Sequence, residues 1–472
     1  MTKIEDNFNG YLQIGDDGFV YNVNGHIVSL MPTEDDPAKR IEIVNNICAQ
    51  KIELPEFIYG EDNDVDIAFF RNTKFVQQKW LNPKAVFATP LIVKSTSINS
   101  NILSEEWVKF HYITFYGGNI NSLYNPHKAV EPNSHVVNNG VEEIKLRSKS
   151  EFTRSIECEI CGEKAKFTFS VFNESTLDRK TGTGSYVLGE LNSGICLTFE
   201  NAQKINKIPE YYRIIRSLVA ILTGKNNIRF KVQIGQKIKQ NKYINTGICK
   251  FLTSYSNFSE IRWEKVINIF NIFDCIPNLI SLIESKDADI LLALLPVDNR
   301  DVHRVSITDI QNICTALEVV YDWRKSKLKK DKFIETLKEK IDDTIDEFVK
   351  SEKANAEGID DRKDIYDKTT IKSAFKYLDY TLKEKILALY RENEETINEI
   401  IKRHSLPPIN YETVHNFVKL RNDKTHSGVV KWGDRANIYY SLLAIIYLCL
   451  FKKAELDDET AKKAVRRFFG VN

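Results

Sequence analysis

What the chain lacks narrows its class first. No apolar run approaches the roughly 20 residues that a membrane-crossing helix needs, and the opening Met1-Thr2-Lys3-Ile4-Glu5-Asp6 holds no apolar signal core. The expectation is a cytoplasmic protein with no membrane partner. Charge of one sign is also missing, since 66 Lys and Arg offset 65 Asp and Glu to a net +1. A protein that coats nucleic acid non-specifically is usually more basic, so any such contact has to be a local patch. The eight cysteines at 48, 158, 161, 196, 249, 275, 314 and 449 sit mostly inside apolar runs and make no disulfide framework; they read as buried thiols in a reducing compartment. Cys158 and Cys161 form one C-x-x-C, half of a zinc knuckle, but no second C-x-x-C or H-x-x-x-H follows. A zinc site with a distant ligand such as Cys196 and a plain β-hairpin turn both stand as readings. Thr181-Gly182-Thr183-Gly184-Ser185 lacks the lysine and following helix of a phosphate loop and reads as a connecting loop. There is no internal repeat and no low-complexity tract. No cofactor and no metal ligand set is expected.

What is present divides in two. At 472 residues the chain has room for two or three domains. Residues 1–250 carry short alternating runs, among them Gly18–Tyr21, Val65–Phe70, Ala85–Ala88, Val108–Phe115 and Ala165–Phe172, which suit sheets with one buried face. Pro209 opens a helix that Gly224 ends, and Ile228–Ile234 reads as a strand. Residues 251–472 read as almost wholly helical. Lys332–Lys350 is a charged amphipathic helix, 351–369 a connector, and Ile371–His404 a helix stopped before Pro407-Pro408. The fold class is therefore α+β: a β-rich, sandwich-like N-terminal domain over 1–250, then an α-helical bundle over 251–472.

The chemistry concentrates near the end. Arg421-Asn422-Asp423-Lys424-Thr425-His426 places an arginine and a histidine with four residues between them, on a helix whose stripe Val414, Phe417, Val418 continues onto Arg421 and Asn422. The histidine can move a proton near neutral pH. The arginine carries a permanent charge in a planar fork that matches phosphate oxygens. Asn422 and His426 are i, i+4, so the amide can orient the imidazole. This pattern suits cleavage of RNA without a metal. Gly428 breaks that helix and Trp432-Gly433-Asp434 opens the next, apolar on nearly all sides from Ile438 to Leu448, as befits the middle of a bundle or an oligomer interface.

Asn416–Asn422 through His426-Ser427-Gly428 resembles the active-site motif of HEPN-domain ribonucleases. Upstream, the capping box Ser306-Ile307-Thr308-Asp309 opens a helix with Thr315-Ala316-Leu317-Glu318, similar to the corresponding helix of ApeA-like HEPN proteins. The resemblance spans roughly residues 300–470 at motif level and is architectural only before that. It implies a helical HEPN bundle, a homodimer or higher homo-oligomer that joins two motifs, and metal-free endoribonuclease activity. It further implies a role in bacterial anti-phage defence through abortive infection, with a phage-derived trigger acting at the β-rich domain and transfer RNA as a candidate substrate. Other HEPN domains bind nucleotides or partner proteins without cutting, and that non-catalytic reading is the rival. A metal-dependent nuclease has no D-x-D or H-x-x-E set on one face to support it.

Arg421, His426, Asn422 and Glu318 are thus the candidate catalytic residues. Glu318 sits within the stripe Ile310, Ile313, Cys314, Leu317, Val320, Tyr321, and Arg421 faces the mirror-image problem on its own helix. A charge on an apolar stripe is costly unless paired. Either the two meet, or Glu318 borders the stripe and reaches solvent. Lys424, Arg324, Lys325 and Lys327 are candidate RNA contacts; the run Arg324–Lys330 reads equally as a solvated helix end. Lys462, Lys463, Arg466 and Arg467 form a second basic cluster with the same two readings. His415, eleven residues before His426 on the same side, either lines the cleft or packs.

Overall fold

The computed structural model describes residues 4–51, 56–62, 65–71, 73–78, 83–96, 109–129, 136–137, 141–142, 149–173, 191–239, 242–252, 266–298, 305–323, 332–355, 381–427 and 437–471. The chain forms two compact units, one of Met1–Ala288 with Leu295–Val302, the other of Asp289–Leu294 with His303–Asn472.

In the first unit the order is β1 (Asn7–Ile14), β2 (Asp17–Asn24), β3 (Ile27–Pro32), α1 (Pro37–Cys48), β4 (Phe57–Asp62), β5 (Val65–Phe70), β6 (Val76–Gln78), β7 (Lys84–Ala88), β8 (Leu91–Ser95) and β9 (Lys109–Tyr116). There follow α2 (Ile120–Leu123), β10 (Val136–Val137), β11 (Val141–Glu142), α3 (Lys149–Phe152), β12 (Arg154–Ile160), β13 (Glu163–Asn173), β14 (Leu191–Lys204), α4 (Ile208–Thr223), β15 (Lys231–Lys239), β16 (Lys242–Phe251) and α5 (Ile276–Glu284). Among the described residues the strands other than β10 and β11 make one continuous 14-stranded sheet, in the order β12-β13-β14-β9-β15-β16-β8-β5-β4-β1-β2-β3-β7-β6. Every neighbouring pair is antiparallel. The architecture is mixed α and β, as the alternating runs imply, but the strands join edge to edge in a single sheet.

Period-two alternation sets the core. On β2, Phe19, Tyr21 and Val23 are buried while Val20, Asn22 and Asn24 are exposed. Those three share one cluster with Leu12, Val28, Leu30, Ile58, Ile67, Phe69, Phe87 and Ile92, together with Val44 and Ile47 of α1. Each such side chain contributes about 1.5–3 kcal/mol on burial. Farther along the sheet, Ile113, Phe115, Ile195, Leu197 and Ile234 are buried. There α4, opened by Pro209 and closed by Gly224 in the left-handed conformation, packs against α5. Because α5 also packs on β12, this compact unit runs past residue 250, where the β-rich composition ends. The strand read at Ile228–Ile234 starts three residues later, at Lys231.

The second unit holds α6 (Asp289–Leu292), α7 (Ile307–Asp322), α8 (Lys332–Asn355), α9 (Leu382–Glu392), α10 (Glu394–His404), α11 (Tyr411–Ser427), α12 (Tyr439–Lys453) and α13 (Asp458–Phe468). Helix α7 packs against α6, α9, α11 and α12, and α10 packs against α12 and α13. Residues 441–448 of α12 are all buried, so this helix is covered on every side. Two readings change. The helix from Lys332 continues to Asn355, through residues assigned to the connector. Of the helix read from Ile371 to His404, residues 371–380 lie outside the described residues, and the rest is broken at Asn393, whose amide donates to the Leu389 carbonyl at 2.8 Å and accepts from Lys452 at 3.1 Å. Among the described residues no helix is long and apolar enough to cross a membrane.

Candidate active site

Helix α7 begins at a complete capping box: the Asp309 amide donates to Ser306 Oγ at 3.1 Å and the Ser306 amide to Asp309 Oδ2 at 2.6 Å. Two of the amides that a helix start leaves unpaired are thereby satisfied. From that start, Ile310, Ile313, Cys314, Ala316, Leu317, Val320 and Tyr321 turn inward. Glu318 lies on the border of this face, its side chain 40% exposed.

Helix α11 starts at Asn410, whose Oδ1 accepts from the Thr413 amide at 2.9 Å. Val414, Phe417 and Leu420 form its buried stripe. The stripe differs from the sequence reading, in which Val418 and Asn422 belonged to it: Val418 is half-buried and Asn422 exposed. The helical period places Leu420, three residues after Phe417, on the inner side, and Arg421 comes to the edge.

At that edge the two charged residues meet. Arg421 Nη1 donates to Glu318 Oε1 at 3.3 Å, across 103 residues of sequence. Both side chains stay partly in water, 31% and 40% exposed. The pair therefore belongs with surface ion pairs, worth at most about 1 kcal/mol, and not with buried ones. Its importance is geometric: it ties a guanidinium on α11 to a fixed point on α7. Burial raises the Cys314 thiol to about 12, with Arg421 lowering it and Glu318 raising it. Cys314 is thus a neutral apolar neighbour of the pair, not a nucleophile.

The described side chains of α11 end at Asn422, so the side chains of Lys424 and His426 lie outside the description, although both positions fall within the helix. Asn422 and His426 are four residues apart on that helix and share its face. Arg324, Lys325 and Lys327 lie outside the described residues, as do Gly428, Trp432-Gly433-Asp434 and the loop Thr181–Ser185. The chain matches no family model, no curated protein and no solved structure.

One cluster escaped the sequence reading. His415 is exposed on α11, its ring stacked on that of Tyr411 with centroids 6.2 Å apart and planes 8° apart. Lys383 of α9 brings its ammonium 3.3 Å from Tyr411 Oη and 3.2 Å from His415 Nδ1. An ammonium has no lone pair, so in this contact the lysine donates and Nδ1 accepts. The available signal was a tyrosine and a histidine at i, i+4 on the outer face of a helix.

Two other singled-out groups have structural roles. Cys158 and Cys161 stand on the β12–β13 hairpin, where Ile160 pairs with Glu163 and leaves Cys161-Gly162 as a two-residue loop. Both loop residues have positive φ, 53° and 72°, as a type I′ turn requires. Burial first, then Glu210 and Glu284, raises Cys161 to about 12, and burial with Glu157 and Glu284 raises Cys158 to about 11. Among the described residues no group of three or more His, Cys, Asp or Glu is placed to hold a metal ion. Two of the four cations in the basic cluster on α13 are paired: Lys462 with Asp458 at 2.6 Å and Arg466 with Glu399 at 2.7 Å.

Proposed function

We propose that this chain is a metal-independent endoribonuclease whose active site is built on Arg421 and His426, with Asn422 and Glu318 positioning them. The observation that carries the reading is the Arg421–Glu318 contact at 3.3 Å. It holds a permanent cation one residue from Asn422 and five from His426, on the same helix. In the proposed reaction the substrate's 2′-hydroxyl attacks the adjacent phosphorus and gives up its proton to an imidazole. The 2′-oxygen–phosphorus bond forms as the bond to the 5′-oxygen breaks, and the departing oxygen takes a proton. The products are a 2′,3′-cyclic phosphate and a 5′-hydroxyl. Arg421 stabilises the extra negative charge of the phosphorane-like transition state, and Asn422 orients the imidazole or a phosphate oxygen.

Positions 421 and 426 are about 140° apart around an ideal helix. That separation favours a cleft completed by a second copy of the chain, in which one subunit supplies the proton acceptor and the other the donor. In this reading the β-rich unit senses a trigger, phage-derived in the defence role that the motif resemblance implies, and restrains the helical unit until then.

The test compares RNA ends from cells expressing wild type, His426→Ala and Arg421→Ala, together with purified protein in EDTA. The wild type should leave cyclic phosphate ends, keep cutting in EDTA and spare an RNA with a 2′-deoxy sugar at the cut site. Each variant should lose at least about 100-fold in rate, the scale of acid–base and charge-stabilising groups, while remaining folded. Full activity in well-folded His426→Ala would remove the assignment of catalysis to this motif, and absence of cleavage by the wild type would favour a binding role.

A further inference from the structure

We propose that Tyr411, His415 and Lys383 form a nucleobase-stacking subsite that holds RNA along α11 on its way to the Arg421–His426 motif. The inference rests on the ribonuclease reading for the identity of the ligand. Its geometry stands independently. Tyr411 is 62% exposed, the second most exposed large apolar side chain among those described. Its ring lies parallel to the His415 imidazole, and the Lys383 ammonium lies 5.1 Å from its centroid. Two flat rings and a cation presented together to solvent match what unpaired nucleic acid offers: a π-face to stack and a phosphate to neutralise.

Position along the helix supplies the second argument. At 100° per residue, Asn422 is about 20° around α11 from Tyr411 and His415 about 40°, and Asn422 lies about 16 Å farther along the axis. Lys419 is exposed on the same side. The ring platform and Asn422 thus lie in one line on the outer surface of one helix, with Lys419 about 80° to one side of it and Arg421 about 80° to the other. Glu412 is exposed at the margin of this line, and Glu384, beside Lys383, is occupied in capping α9 through Thr381. A tyrosine and histidine at i, i+4 can also be an ordinary surface pair. What sets this pair apart is the lysine from a second helix that contacts both rings while the tyrosine stays largely in solvent.

The experiment measures binding of a fluorescein-labelled single-stranded 2′-O-methyl oligoadenylate by anisotropy, with the full chain at fixed low salt. Tyr411→Ala should weaken binding about tenfold and Tyr411→Trp should keep it within about twofold, because stacking needs an aromatic face and not a hydroxyl. Lys383→Ala should weaken binding and lower the salt slope by about 1. In cleavage assays Tyr411→Ala should raise KM and leave kcat nearly unchanged. Light scattering on the same samples reads the oligomeric state. Equal binding by wild type and Tyr411→Ala overturns the subsite, as does a Tyr411→Ala effect confined to subunit association, or no binding by wild type at all. Loss of binding in Tyr411→Ala together with undiminished cleavage by His426→Ala would uphold the subsite and refute the catalytic assignment.

Discussion

A guanidinium held by a half-exposed carboxylate behaves differently from one sealed in a core. Had Glu318 and Arg421 been buried, removing one partner would cost about 3–5 kcal/mol. Their observed exposures, 40% for Glu318 and 31% for Arg421, leave both charges hydrated, so Glu318→Gln should lower unfolding free energy by less than about 1 kcal/mol. Its effect on rate should be larger. An arginine released from α7 samples other rotamers, and a displacement of about 1 Å at a catalytic group can cost up to 100-fold. The expected outcome is a kcat reduced about tenfold or more, with RNA affinity and denaturant midpoint close to wild type. A Glu318→Gln protein with wild-type kcat would show that the carboxylate does not position the arginine.

Caps and breaks govern the helical unit. Ser306 and Thr381 each open a helix with a reciprocal capping box, and these helices, α7 and α9, carry Glu318 and Lys383. Ser306→Ala should lower unfolding free energy by about 1 kcal/mol, read from urea melts. Glu318 is three turns away, so cleavage should persist wherever the protein stays folded; loss of activity without loss of stability would refute that separation. The Ser306 cap and the α7 stripe were legible because they are local patterns. So were β2, β5 and the ends of α4, where alternation or a Pro and Gly mark the limits. The break at Asn393 was not, because the apolar period runs on through it and what stops the helix is a side chain bonding to its own backbone. The extension of α8 to Asn355 was missed because Ser351–Asn355 is polar, and polarity alone does not end a helix. The single sheet was illegible for a different reason: strand alternation fixes which face is buried, but β9 pairing with β14 and β15 is a matter of partners far apart in sequence. At the site, the meeting of Glu318 and Arg421 followed from two misplaced charges, whereas the Tyr411 cluster depended on Lys383 arriving from another helix.

For the whole molecule the informative feature is the path of the chain between its units. Composition changes near residue 250, where β16 ends at Phe251, yet the first compact unit continues to Ala288 and takes back Leu295–Val302. Between these, Asp289–Leu294 belongs to the helical unit. Helix α6 packs on α7, and Leu291 and Leu294 are 0% and 5% exposed. A fragment beginning at His303 therefore omits two buried leucines from the helix pair that carries Glu318, each worth about 1.5–3 kcal/mol. A fragment beginning at Lys286 keeps them. Both should be helical by circular dichroism, since the helices around α12 bury their own apolar faces. The shorter fragment should melt roughly 10 °C lower, given about 2–4 °C per kcal/mol for a chain of this size. Equal melting temperatures would show that α6 contributes nothing to the helical core, and two unfolded fragments would show that the helical unit does not fold without the β-rich one.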